Sequence, residues 1–288
     1  TGTLNAALGQ DALGLNTTGS NNTAVGESAL YANTTASSNT AVGKSALVAN
    51  TTGAENVSVG AEALDANTTG AENVAVGYGS LSSATTASYN TAVGKSSLGS
   101  TTTGSNNTAV GKSAGLSVTT GIKNTLMGSV SGDALTVGNQ NVAVGNGSLS
   151  SDTKGSHSVA LGDFALRSQN FTSATDVYNT AVGSQAGTSV TSGATNTFIG
   201  GRSGETNTTG SLNTTVGFAS LLLNTTGVSN VAIGNSALES NTTASNNVAV
   251  GSAALAANTT GTLNVAIGAG ALDANTTANA NTAIGYAA

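Results

Sequence analysis

Apolar residues along this chain follow neither a long helical period nor an unbroken alternation; they return at fixed places in a 17-residue unit. The clearest marker is Asn-Thr/Val-Ala-Val/Ile-Gly, as in Asn22-Thr23-Ala24-Val25-Gly26. Its Gly falls at 9, 26, 43, 60, 77, 94, 111, 128, 145 and 162, makes one longer step to 183, and resumes the regular spacing to 285. The unit reads N-[T/V]-A-[V/I]-G-x-x-[A/S]-[L/G]-x-x-N-T-T-[G/A]-x-x. The opening Asn is present in sixteen of seventeen units, with Ser158 in the other. A second Asn, before Thr-Thr, stands at 16, 33, 50, 67, 207, 224, 241, 258 and 275, and is lost between about Ser83 and Asp176.

A unit this short cannot hold a helix-turn-helix repeat, which needs more than about 30 residues. Gly, Asn, Thr and Val are also poor helix formers. Thr-Ala-Val reads as a short strand with Thr and Val on one face. Ala-Leu after the Gly predicts a second strand. Asn-Thr-Thr-Gly predicts the corner, because Asn and Gly tolerate positive φ. The expected fold is all-β: a parallel β-solenoid, or β-roll, in which each 17-residue unit makes one coil.

Stacked coils lie about 4.8 Å apart, so seventeen of them predict a rod about 80 Å long. Each position becomes a column. The expected interior holds the Val column (Val25, Val42, Val59, Val76) and the Leu column (Leu30, Leu47, Leu64, Leu81). The Asn column (Asn22, Asn39, Asn56, Asn73) is expected to form an amide ladder beside the Gly column (Gly26, Gly43, Gly60, Gly77). Glu27 and Lys44 share a position in adjacent coils and are expected to pair on the surface, for well under about 1 kcal/mol. Ala24, Ala41, Ala75 and Ala92 are expected on the face opposite Val, leaving a smooth side for a second copy. Burying one Val and one Leu per coil, about 3–6 kcal/mol, sets against about 17–34 kcal/mol of backbone ordering. An oligomer is therefore the expected state.

Asn-Thr-Ala-Val-Gly, with Asn-Val-Ala-Ile-Gly at 230–234 and 264–268, resembles the head repeats of YadA-like trimeric autotransporter adhesins. The same unit, with its Ala-Leu and Asn-Thr-Thr-Gly, is similar to repeats of phage tail fibres. The resemblance covers nearly the whole chain. It implies a left-handed parallel β-roll, three chains packed as a homotrimer, and attachment to a host surface through a glycan or protein receptor. The 17-residue unit is longer than the usual adhesin head repeat, so the corners are expected to differ. The chain reads as one continuous β-solenoid over 1–288, a section of something longer, because it starts and stops partway through a unit.

Charged residues make up only 7% of the chain, and the 13 acidic side chains are scattered. Without a Lys/Arg cluster to neutralise phosphates, nucleic acid is not an expected partner. No apolar run of about 18 residues predicts membrane insertion of this segment. Cys is absent, which removes disulfides and thiolate metal sites.

Candidate chemistry is sparse, and neither an enzyme nor a cofactor is expected. His157 is the only His; near Lys154 and Asp163 in sequence, it reads as a surface residue, since one His without Cys makes no zinc site. Gly200-Gly201-Arg202-Ser203-Gly204 departs from the calcium-binding G-G-x-G-x-D pattern and reads as a turn. The Asn-x-Thr triplets, including Asn170-Phe171-Thr172, read as corners before glycosylation acceptors. Thr-Thr pairs raise an ice-binding solenoid, but adjacent Thr17 and Thr18 would point to opposite sides if extended. Glu55 and Glu72 are the nearest offering for glycoside hydrolysis, which needs paired carboxylates in a cleft. The 21-residue unit is the informative irregularity. Phe164, Phe171 and Tyr178 lie within it around Arg167, in a chain with only 4 Phe and 5 Tyr. This group is the expected partner contact, set against an insertion whose Phe folds back on the coils. The reading is a non-enzymatic structural and adhesive fibre segment, extracellular at a cell surface or virion.

Overall fold

In the computed structural model, which describes residues 2–288, the chain forms two compact units, 1–141 and 142–288. Each is an all-β parallel solenoid whose regular turn is the 17-residue repeat, and no helix occurs among the described residues. In the first unit, strands β1 (Ala6–Leu8) through β8 (Thr125–Met127) pair in parallel, as in Thr23↔Thr40 and Val25↔Val42. In the second, β9 (Val142–Val144) and β11 (Val159–Leu161) continue through β13 (Thr180–Val182) to β19 (Thr282–Ile284) in the same way. Within the second unit, two short strands, β10 (Gly155–Ser156) and β12 (Thr175–Asp176), pair with each other.

Each regular coil has one strand of three residues, not two. The Ala-Leu stretch expected as a second strand is a run of overlapping turns. Ala29, Tyr31 and Asn33 donate their N–H groups back to Gly26, Ser28 and Leu30 within the coil. The alternate N–H groups leave the coil: Ser28 donates to Gln10, Leu30 to Ala46 and Ala32 to Val48. Half of the turn's amides thus hold it together and half tie it to its neighbours. The first two of these turns place positive φ at their third residue, Ser28 (58°) and Leu30 (53°). A left-handed non-Gly residue costs roughly 1–2 kcal/mol, while burying a Leu fully contributes about 1.5–3 kcal/mol, so Leu30 is tolerated where it sits. The Asn-Thr-Thr-Gly corner does not use positive φ as expected. The residue before the ladder Asn adopts it instead, for example Asn21, Ser38 and Glu55.

The strand faces are the reverse of the expected ones. Ala24, Ala41, Ala75 and Ala92 are fully buried, whereas Val25, Val42 and Val76 are half-buried and Val59 is exposed. The reason is space. The Leu column and two columns of Asn also point inward, and the remaining gap fits a methyl group. Leu30, Leu47, Leu64 and Leu81 are fully buried, as expected.

Two places show how tightly that space is filled. In the first unit the Leu column carries Gly115 and Gly132, and the strand-centre residue between them is Leu126 in place of Ala. A Cβ on either Gly would lie 2.7 Å from a Leu126 methyl carbon. In the second unit Gly187 and Gly204 make the same exchange around Phe198. Both large side chains are fully buried. Where one wall gives up a side chain, the opposite wall supplies it. At the regular Gly column the constraint is backbone: Gly26 has φ of 133°, and a Cβ there would lie 2.5 Å from the carbonyl oxygen of Gly43.

Leu126→Ala is expected to leave a cavity and cost about 2–5 kcal/mol. Gly132→Leu alone is expected to overpack, and the Leu126→Ala/Gly132→Leu pair to recover most of both losses. Chemical denaturation of the four proteins reads this directly; losses that merely add would refute the exchange.

Candidate functional site

The interior is lined by polar side chains whose partners lie one coil away. Asn22, Asn39, Asn56 and Asn73 are fully buried. The Oδ1 of Asn22 accepts the backbone N–H of Asn39 at 3.0 Å, and Asn39 Nδ2 donates to the Gly53 carbonyl at 3.0 Å. Asn73 donates both its N–H (3.0 Å) and its Nδ2 (3.1 Å) to Asn56 Oδ1. A second ladder, which the corner reading of Asn-Thr-Thr-Gly does not anticipate, runs through the Asn of that motif. Asn33, Asn50 and Asn67 are also fully buried, Asn50 Nδ2 donating to Asn33 Oδ1 at 3.0 Å and Asn67 Nδ2 to Asn50 Oδ1 at 2.9 Å. It stops at Ala84, leaving Asn67 Oδ1 buried without a partner. The next positions, Thr101, Val118 and Leu135, are buried as well, so the less regular stretch exchanges amides for mostly apolar filling.

These contacts settle several corner residues. The Asn of each such Asn-Thr-Thr triplet from Asn33 to Asn258 is buried in a ladder, out of reach of glycosylation. The first Thr of each pair spends its hydroxyl on the next coil, as Thr34 Oγ1 does on the Thr51 carbonyl at 3.1 Å and Thr51 on Thr68 at 2.9 Å. Between Thr34 and Thr260 that leaves only the second Thr of an Asn-Thr-Thr triplet, such as Thr35 or Thr52, exposed. Glu55 and Glu72 are exposed on adjacent coils. Gly204 lies against Phe198, and Arg202 pairs with Glu205, so the 200–204 segment is a packing turn.

Outside, Thr and Val form a continuous face in each unit. The main strands carry no charged residue, and Val57, Val59, Met127, Ile199, Val216, Ile233 and Ile267 are among their exposed side chains. Charge sits at the edge of this face, where Lys44 Nζ and Glu27 Oε2 pair at 3.3 Å as the shared column position predicts.

The irregular turn draws on four ladder positions, three of them without their Asn. Asp152 and Gln169 occupy the second-ladder position, and Ser158 and Asn179 the first. Asp152 is fully buried, its Oδ1 accepting the N–H of Gly155 (3.0 Å) and of Phe171 (3.1 Å). Gln169 is one methylene longer than Asn and Ser158 is shorter, so Gln169 crosses between the ladders. Its Nε2 donates to Asp152 Oδ2 (2.6 Å) and Ser158 Oγ (3.0 Å), and its Oε1 accepts from Asn179 Nδ2 (2.9 Å). The inserted residues around 172–174 are exposed, while Val177 is fully buried and restores the coil.

The four predicted contact residues do not form one cluster. Arg167 is exposed and lies over the half-buried Phe164 ring at 5.2 Å, and that ring in turn covers Gly147. Phe171 is half-buried beside Asp152. Tyr178 is exposed and stacks on His157 at 5.0 Å between ring centroids. His157 Nδ1 also lies 3.1 Å from Asp176 Oδ1, so the residue expected as a plain surface His belongs to a small cluster. The sequence carries a signal for it, because His157 and Tyr178 each precede a ladder position, at Ser158 and Asn179.

No family model matches this sequence, and no curated protein matches it.

Asp152→Asn tests the irregular turn. All partners of Asp152 are donors, and Gln169 is held in orientation by Asn179. An amide NH₂ must therefore face another donor, at an expected cost of about 1–3 kcal/mol. Hydrogen exchange is expected to show lost protection at the Gly155 and Phe171 amides; unchanged protection would contradict the network.

Proposed function

We propose that this chain is a structural and adhesive segment of an extracellular fibre, a rigid spacer and surface-attachment module at a cell surface or virion. Three copies pack side by side as left-handed coils. The observation that carries this reading is the outward face, uncharged along its main strands and lined by Thr, Val and Ile in register. A face of that kind favours close contact between proteins, since the cores of interfaces are depleted of charge. The packing surface is therefore the Thr/Val face and not the buried Ala column. Rigidity follows from each coil being bonded to its neighbours through backbone and side chains alike.

The same architecture serves a tail-fibre shaft that carries host recognition, and the resemblance of the repeats fits both settings. The ice-binding reading is weaker, because the first Thr of each pair has committed its hydroxyl to the next coil.

Light scattering on the purified chain tests the assembly. The expected mass is three times the 27.4 kDa of one chain. A Val42→Lys/Val76→Lys/Val93→Lys variant is expected to run as a folded monomer with an unchanged circular dichroism spectrum. A monomeric parent protein, or a variant that stays trimeric, would overturn the proposal.

A further inference from the structure

One turn of the first unit is cut away at its surface. In the column of Tyr31, Val48, Asp65 and Ser82, the next residue is Gly99, followed by Leu116. One column over, Gly79 replaces a side chain in the same way, and a Cβ there would meet only Ser96 Oγ, at 3.9 Å. The two absences leave a groove of about 300 Å³ between Tyr78 and Leu116, the lower end of the range for small-ligand sites.

Its walls are chemically mixed. The Tyr78 ring is exposed (52%) and has Lys95 Nζ 5.9 Å from its centroid. The neighbouring Glu62 carboxylate pushes the Tyr78 hydroxyl above its usual range. The hydroxyls of Ser82 and Ser96 line the floor, the former donating to the Gly99 carbonyl at 3.3 Å.

We propose that this groove binds one neutral pyranose residue of a glycan, its C–H face on the Tyr78 ring and its hydroxyls on Glu62, Ser82 and Ser96. An aromatic face with a negative π surface suits the polarised C–H groups of a sugar. The Glu62 carboxylate accepts sugar hydroxyls and repels anions. An open groove of this size takes the end of a longer chain. The proposal gives the attachment reading a ligand class and rests on that reading only for its biological setting; the groove's chemistry stands without it.

Saturation-transfer difference NMR with lactose, maltose, cellobiose and N,N′-diacetylchitobiose tests it on the intact chain. At least one disaccharide is expected to give ring-proton signals that vanish in Tyr78→Ala and in Gly99→Val. The second variant fills the groove with a side chain the fold already carries at Val48, and a circular dichroism spectrum equal to the parent's excludes loss of folding as the cause. Tyr178→Ala, in the other unit, is expected to keep the signals. Signals from none of the four sugars, or signals that survive Gly99→Val, would overturn the proposal. Neither result bears on the chain mass, which decides the fibre reading separately.

Discussion

The buried asparagines of this protein bond to asparagines one coil away, and that constraint fixes the rest. A buried amide left unpaired costs about 1–3 kcal/mol. A slip of even one residue between coils would strand every Asn in two ladders at once. The register is therefore held by a penalty repeated along the axis, in addition to the backbone bonds of three-residue strands. Apolar burial alone could not do this, because Ala and Leu columns would tolerate many offsets.

The same constraint explains where the sequence can vary. Outside the coil, positions such as those of Glu27, Lys44, Tyr78 and Lys95 exchange freely, since no ladder passes through them. Inside, the largest changes come in compensated sets. Leu126 enters with Gly115 and Gly132, Phe198 with Gly187 and Gly204, and Gln169 with Ser158 and Asp152. The strand-centre exceptions obey the rule as well: Ser58 donates to the Ala63 carbonyl at 2.8 Å, and Thr215 pairs with Ser203. An insertion is accepted where Gln169 can carry the polar contacts across it.

Much of this is legible in the order of amino acids alone. The 17-residue step, the first Asn column, the buried Leu column and the Glu27–Lys44 pair all follow from position arithmetic. Which face of Thr-Ala-Val turns inward does not follow. Hydrophobicity favours burying Val25, but the space left by Leu30 and the two Asn columns admits only Ala24, and that volume is invisible until the second ladder is known. The left-handed turn positions are hidden because Ser28, Glu62 and Leu30 occupy them; the Leu/Gly alternation at the last is the available clue. Of the candidate contact residues, the pairing of Tyr178 with His157 can be found by counting columns through the insertion. The groove at Tyr78 cannot, since it depends on the absence of side chains at Gly79 and Gly99.

Side-chain amide hydrogen exchange at the asparagines tests the central claim most directly. In a ¹⁵N-labelled chain, the Nδ2 hydrogens of Asn50, Asn56, Asn67 and Asn73 are expected to exchange slowly, protected with the coil backbone, while those of exposed Asn235 exchange at the rate of a free amide. If the ladder asparagines exchanged as fast as Asn235, the polar interior would not be closed, and the account of how this fold keeps its register would fail.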